Sequence, residues 1–176
     1  YGAFTLGYTQ IDSEPAMIVG GRAGWLIDHH FTLGLGGYGF FNNLQNNESS
    51  ELSENYTVAG GYGGLFLEAI IAPNYPVHVA IPVIIGAGGA SVYESSYWDD
   101  PNTSYYYNYD ATAFFVIEHG LELELNIVKF FRLAFAGTYR WTSGVDLSYD
   151  YYDENNVYKS NPLPNDILNG FSFQFT

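Results

Sequence analysis

From Val19 to Phe175, runs of large apolar residues recur on odd-numbered positions. Val19, Ala23, Trp25 and Ile27 lead to Phe31, Leu33 and Leu35, then to Leu65, Leu67 and Ile71. Val77, Val79, Ile81, Val83 and Ile85 follow, then Leu121, Leu123 and Leu125, then Leu133, Phe135, Tyr139 and Trp141. Phe171, Phe173 and Phe175 close the series. A period of two marks β-strands whose two faces meet different surroundings.

Eight strand-like segments carry this pattern: Gly2–Thr9, Met17–Ile27, Phe31–Asn42, Tyr56–Ile71, Val77–Tyr93, Asp110–Leu125, Phe130–Trp141 and Gly170–Thr176. Three connections are short, namely Asp28–His30, Ala72–Pro76 and Asn126–Val128. Three are long, polar and acidic: Asn43–Asn55, Glu94–Tyr109 and Thr142–Asn169. Gln10–Ala16 is intermediate. The short turns hold three, five and three residues, and an odd loop keeps odd paired with odd across each hairpin. The first strand is expected to be shifted by one, with Phe4, Leu6 and Tyr8 outward, and the connection after it to absorb the change.

The even positions hold Arg22, Glu68, Glu118, Glu122, Glu124, Arg132 and Arg140, together with Thr32, Thr112, Thr138, Ser172, Gln174 and many glycines. An apolar outer face and a polar inner face, joined by alternating long and short loops, describe a transmembrane barrel. No run of 18 apolar residues exists to form a membrane-crossing helix. Without one, only a closed barrel satisfies its backbone in lipid. The expected fold is therefore all-β, one domain over residues 1–176: an eight-stranded antiparallel up-and-down transmembrane barrel. Short turns and both termini would lie on the periplasmic side of a bacterial outer membrane, with any export leader already removed. Trp25 near the short-turn end, and Tyr8, Phe41, Tyr93 and Trp141 near the long-loop end, fit two interfacial girdles.

Composition excludes other classes. Charged residues make up 14% of the chain, against about a quarter in soluble domains. The net charge of −14 leaves nothing to neutralise nucleic-acid phosphates or to dock on an anionic membrane surface. With no Cys there is no disulfide, thiol nucleophile or cysteine metal site. Gly86-Ala87-Gly88-Gly89 lies in a strand with no helix after it, so it is not a phosphate loop. The acidic loop residues match no defined calcium loop and read as a solvated surface. The tyrosine-rich stretches Tyr105–Tyr109 and Tyr149–Asp153 are suited to extend the strands as paired ribbons.

The segments Gly60–Glu68 (GGYGGLFLE), Val77–Gly89 (VHVAIPVIIGAGG) and Gly170–Phe175 (GFSFQF) resemble those of the small eight-stranded outer-membrane barrels, and more narrowly a Bacteroidetes-type group of them. The resemblance implies a Gram-negative source and outer-membrane lipid and lipopolysaccharide as surroundings. The closing aromatic strand resembles the signal read by the barrel-assembly machinery, which favours a terminal aromatic. Thr176 after Phe175 departs from that signal or marks a stop short of the true end.

Two sets of residues invite function. The first is the inward charge network. A three-residue turn at Asn126–Val128 would set Glu122 opposite Arg132, with Glu124 its diagonal neighbour and Glu118 and Arg140 about two pairs further on. Paired, these charges would plug the bore. The second set is outward: His119, expected near mid-membrane, and the small residues Gly37, Gly39 and Gly137, which suit close approach by another membrane segment. His29 and His30 in a turn, and inward His78, read as structural. No catalytic residue, metal ligand set or cofactor is expected. The function expected is a non-enzymatic surface or interaction protein, or an accessory subunit beside other outer-membrane proteins. A hydrophobic-ligand conduit or porin-like protein, a lipid A-modifying barrel enzyme and a soluble lipocalin-like barrel are the alternatives.

Overall fold

The computed structural model describes residues 1–11, 14–42, 56–73, 75–94, 110–128, 131–152 and 158–176. The strands are β1 (Gly2–Ile11), β2 (Glu14–Ile27), β3 (Phe31–Phe41), β4 (Tyr56–Ile71), β5 (Val77–Glu94), β6 (Asp110–Val128), β7 (Phe131–Ser143), β8 (Ser148–Tyr152), β9 (Tyr158–Pro162) and β10 (Gly170–Phe175). Eight of them close into an antiparallel ring, in the order β1-β10-β7-β6-β5-β4-β3-β2. The other two, β8 and β9, form a separate hairpin between β7 and β10. Tyr149–Tyr152 belong to this hairpin, paired as the ribbon expectation had it but in a sheet of their own rather than as an extension of a barrel strand. Tyr105–Tyr109 and most of the acidic loop residues lie outside the described residues, as do the side chains of Tyr93 and Glu94.

The odd-numbered apolar residues face outward. Trp25 is 80% exposed, Leu35 70% and Phe173 66%. β1 is shifted as expected: Phe4, Leu6 and Tyr8 are exposed and Thr5 and Thr9 are fully buried. The shift is not absorbed by a seven-residue loop, however. β1 runs on to Ile11 and β2 starts at Glu14, with the two residues paired, so the connection is residues 12–13 alone. Ile11 and Ala16 are buried, which explains why both strands reach further than the polar letters between them suggest.

A second correction concerns the β6–β7 turn. β6 continues through Val128, which pairs with Phe131, and a bulge lies between Asn126 and Val128. The turn therefore sits two residues later than expected. Glu122 is opposite Ala136, not Arg132, and Arg132 is opposite Asn126. Glu118 and Arg140, expected two pairs beyond Glu122 and Arg132, stand directly opposite each other. Parity is untouched, so each side chain keeps its face.

The bore has two halves. Towards the long-loop end it is filled by Tyr38, Phe40, Tyr62 and Phe114, closed over by Val145, Leu147, Ile167 and Leu168. Towards the short turns it is charged. Paired inner glycines let the backbones crowd together: a Cβ on Gly86 would lie 2.1 Å from the Gly63 carbonyl oxygen.

Candidate functional site

The charged half of the bore is built on Arg22, from β2. Its guanidinium bonds Glu122 on β6 and lies 3.6 Å from Glu68 on β4. Its Cζ rests 4.8 Å from the centre of the Phe66 ring, a cation–π contact. Glu68 also accepts from the Thr32 hydroxyl at 2.9 Å. Glu124 accepts from Arg132 at 3.1 Å and pairs with His78. Arg132 is the diagonal partner of Glu124, as the sequence suggested, but it sits at the mouth with its side chain 34% exposed. Glu68, Glu122 and Glu124 bring carboxylate oxygens within 4.8 Å of one another. Arg22 already stands where a cation between the first two would sit.

Glu118 and Arg140 occupy a second level. Glu118 accepts from Tyr62, from Thr138 at 2.7 Å and from Gln174 at 2.7 Å. Arg140 donates to the carbonyls of Leu168 at 2.7 Å and Gln10 at 3.3 Å, under the rings of Phe40 and Tyr62. Sequence reasoning placed the charges but missed Tyr62 and the two carbonyls. Tyr62 is an even-numbered aromatic, and that parity was the signal that it points inward. Between the two levels the free volume is about 10 Å³, enough for about one water.

On the outer face, the expected contact residues form two separate places. Gly37 and Gly39 lie on β3 beside Gly63 and Gly61. His119 and Gly137 lie on β6 and β7, and β3 and β7 are four strands apart around the ring. His119 is outward at the midpoint of β6, between Val83 and Tyr139, with its ring edge-on to Tyr139 at 6.4 Å. Beside it the β5–β6 pairing skips Ile81 and Pro82, where proline has no N–H to donate. Gly137 opens onto a shallow hollow of about 390 Å³ over β10. His29 and His30 are exposed in their turn, with His30 Nδ1 held by the Asp28 carbonyl at 2.6 Å.

No protein-family model matches the chain, and no curated protein matches it. Among solved structures it is similar to the outer membrane protein Ail of Yersinia pestis in a phospholipid bilayer nanodisc. The identity is 11% and the TM-score 0.39, over 99% of this chain and 98% of that one.

Proposed function

We propose that this chain is a plugged, non-enzymatic outer-membrane barrel that works through its surfaces. Both termini face the periplasm, and the surroundings are outer-membrane lipid and lipopolysaccharide of a Gram-negative, Bacteroidetes-type cell. Of the two forms of the proposal, surface interaction protein and accessory subunit, the second has the more specific support. One observation carries it. An imidazole faces outward at the centre of an apolar belt, beside a proline-interrupted ladder, at a depth where hydrocarbon gives it no partner. Another membrane protein docked over His119 and Gly137 would supply one.

The bore gives the conduit reading no support, because its free space at mid-height is the size of one water. Nothing paired with His119 favours the lipid A enzyme reading: its ladder partners are Val83 and Tyr139, and neither is a serine.

Purification of the native protein in mild detergent tests the proposal. The chain should migrate with another outer-membrane protein, and His119→Leu should release it. A wild-type chain that always runs alone, unaffected by changes at His119, Gly137 or Gly37, would overturn the subunit form.

A further inference from the structure

His119 and Tyr139 put two unbonded polar groups side by side in the middle of the apolar belt. They are ladder partners on β6 and β7, and their odd numbers set both on the outer face. Their rings meet edge-on at 6.4 Å, and Tyr139 meets Phe171 in the same way at 4.9 Å. Among the described residues, neither the imidazole nor the phenol hydroxyl makes a hydrogen bond. A neutral imidazole carries one donor and one acceptor, and a phenol hydroxyl can act as either. In hydrocarbon each unmet group has a cost that only a partner inside the membrane removes. Two residues towards the short turns, Gly137 pairs with Leu121 on one side and Phe173 on the other. A Cβ at Gly137 would meet nothing within 4 Å, while Leu121, Phe135 and Phe173 around it are strongly exposed. The face is therefore a notch with a polar pair directly above it.

We propose that the partner on this face is a second copy of the chain, in a parallel dimer whose two-fold axis is normal to the membrane and passes between β6 and β7 at His119. This rests on His119 being a protein contact, as proposed above, and names what meets it. Depth selects the occupant. An unrelated protein would need its own donor and acceptor at the level of His119. A second copy has them there of necessity, because both copies insert the same way round and the same apolar belt sets their height. The chemistry is also self-complementary. The axis lays β6 of each copy against β7 of the other. Each imidazole then comes within reach of the second copy's Tyr139 hydroxyl, and each hydroxyl within reach of an imidazole, so donors and acceptors balance. The notch at Gly137 lets the two sheets approach closely enough for those bonds to form. A lipid chain could fill the notch, but it brings no hydrogen-bonding group to this depth.

Energy transfer between copies tests it, with the purified full chain as the only protein in lipid vesicles. The chain has no cysteine of its own, so Tyr75→Cys, exposed in the β4–β5 turn, takes the dyes. Donor-labelled and acceptor-labelled pools are mixed and diluted with lipid. Transfer should stay well above the level of randomly placed copies, and His119→Leu should weaken association about tenfold. His119→Gln, which keeps a donor and an acceptor, should restore most of it. Gly137→Leu, which fills the notch, should also weaken association, and Gly37→Leu, four strands round the ring on β3, should not. Transfer at the random level in the parent would overturn the second copy as partner. The docking proposal itself would survive that result if native purification still finds a different protein that His119→Leu releases. Transfer that His119→Leu leaves unchanged, or that Gly37→Leu abolishes, would mean that copies meet on another face, and would also overturn it.

Discussion

Glu118 and Arg140 stand opposite each other across β6 and β7, both buried, and no ion pair joins them. Each is met instead by neutral groups: Glu118 by Tyr62, Thr138 and Gln174, and Arg140 by two carbonyls and two aromatic faces, with its Nη1 buried and unbonded. One level away, Arg22 and Glu122 bond directly. The same residue types thus meet by two different chemistries within one bore.

Double-mutant cycles should separate the two levels. Arg22→Met or Glu122→Leu alone leaves a buried charge without its partner, at a cost of about 3–5 kcal/mol. The double change should recover most of that loss. For Glu118→Leu with Arg140→Met, the coupling should be below about 1 kcal/mol. Urea unfolding in lipid vesicles measures both. A large coupling in the second pair would mean that its charges act on each other directly.

Glycines on the two faces should respond differently. Alanine at Gly86 puts a methyl group against the Gly63 carbonyl, and overpacking of that kind costs about 1–3 kcal/mol. At Gly137 an added Cβ meets nothing within 4 Å, so stability should change by less than about 0.5 kcal/mol. The same unfolding assay reads both, and equal effects would contradict the tight inner corner at Gly64 and Gly86.

The outer face gives the sharpest test of the membrane proposal. Leu121 is 62% exposed, two residues from the midpoint of β6. Leu121→Arg should cost about 2–4 kcal/mol in a bilayer. A soluble barrel would tolerate an exposed arginine there. Folding yield into vesicles of the variant against the parent decides the matter.

A plugged bore should carry no current. Planar-bilayer recordings of the parent are expected to be silent. Phe66→Ala empties a fully buried site, and should cost about 3–5 kcal/mol of stability. Steady conductance by the parent would show that the packing between Arg22 and Gln174 opens.

The ring was legible in the sequence because a strand shows its two faces in alternate letters. The apolar odd positions of Leu121–Leu125 and Phe171–Phe175 need no tertiary information. Turn positions were harder. Asn126-Ile127-Val128-Lys129 carries neither glycine nor proline, and a bulge there takes up a residue without leaving a mark in the pattern. The later turn and its bulge together moved every pairing between β6 and β7, and with them the partner of Arg132. The charge network was readable as a set of inward residues but not as a set of bonds. Whether Arg140 meets Glu118 or the Leu168 carbonyl depends on a loop folding back over the bore, which no local pattern records.

β1 and β10 share four register pairs, against eleven between β2 and β3. The other neighbours follow one another along the chain, β7 and β10 across the β8–β9 hairpin, while this junction joins the first strand to the last. The sheet can therefore zip up hairpin by hairpin, and its circle must be stitched last, where the first strand meets the last. Load, heat or an inserting machine will part the cylinder there first, and the rest can unroll as one curved ribbon.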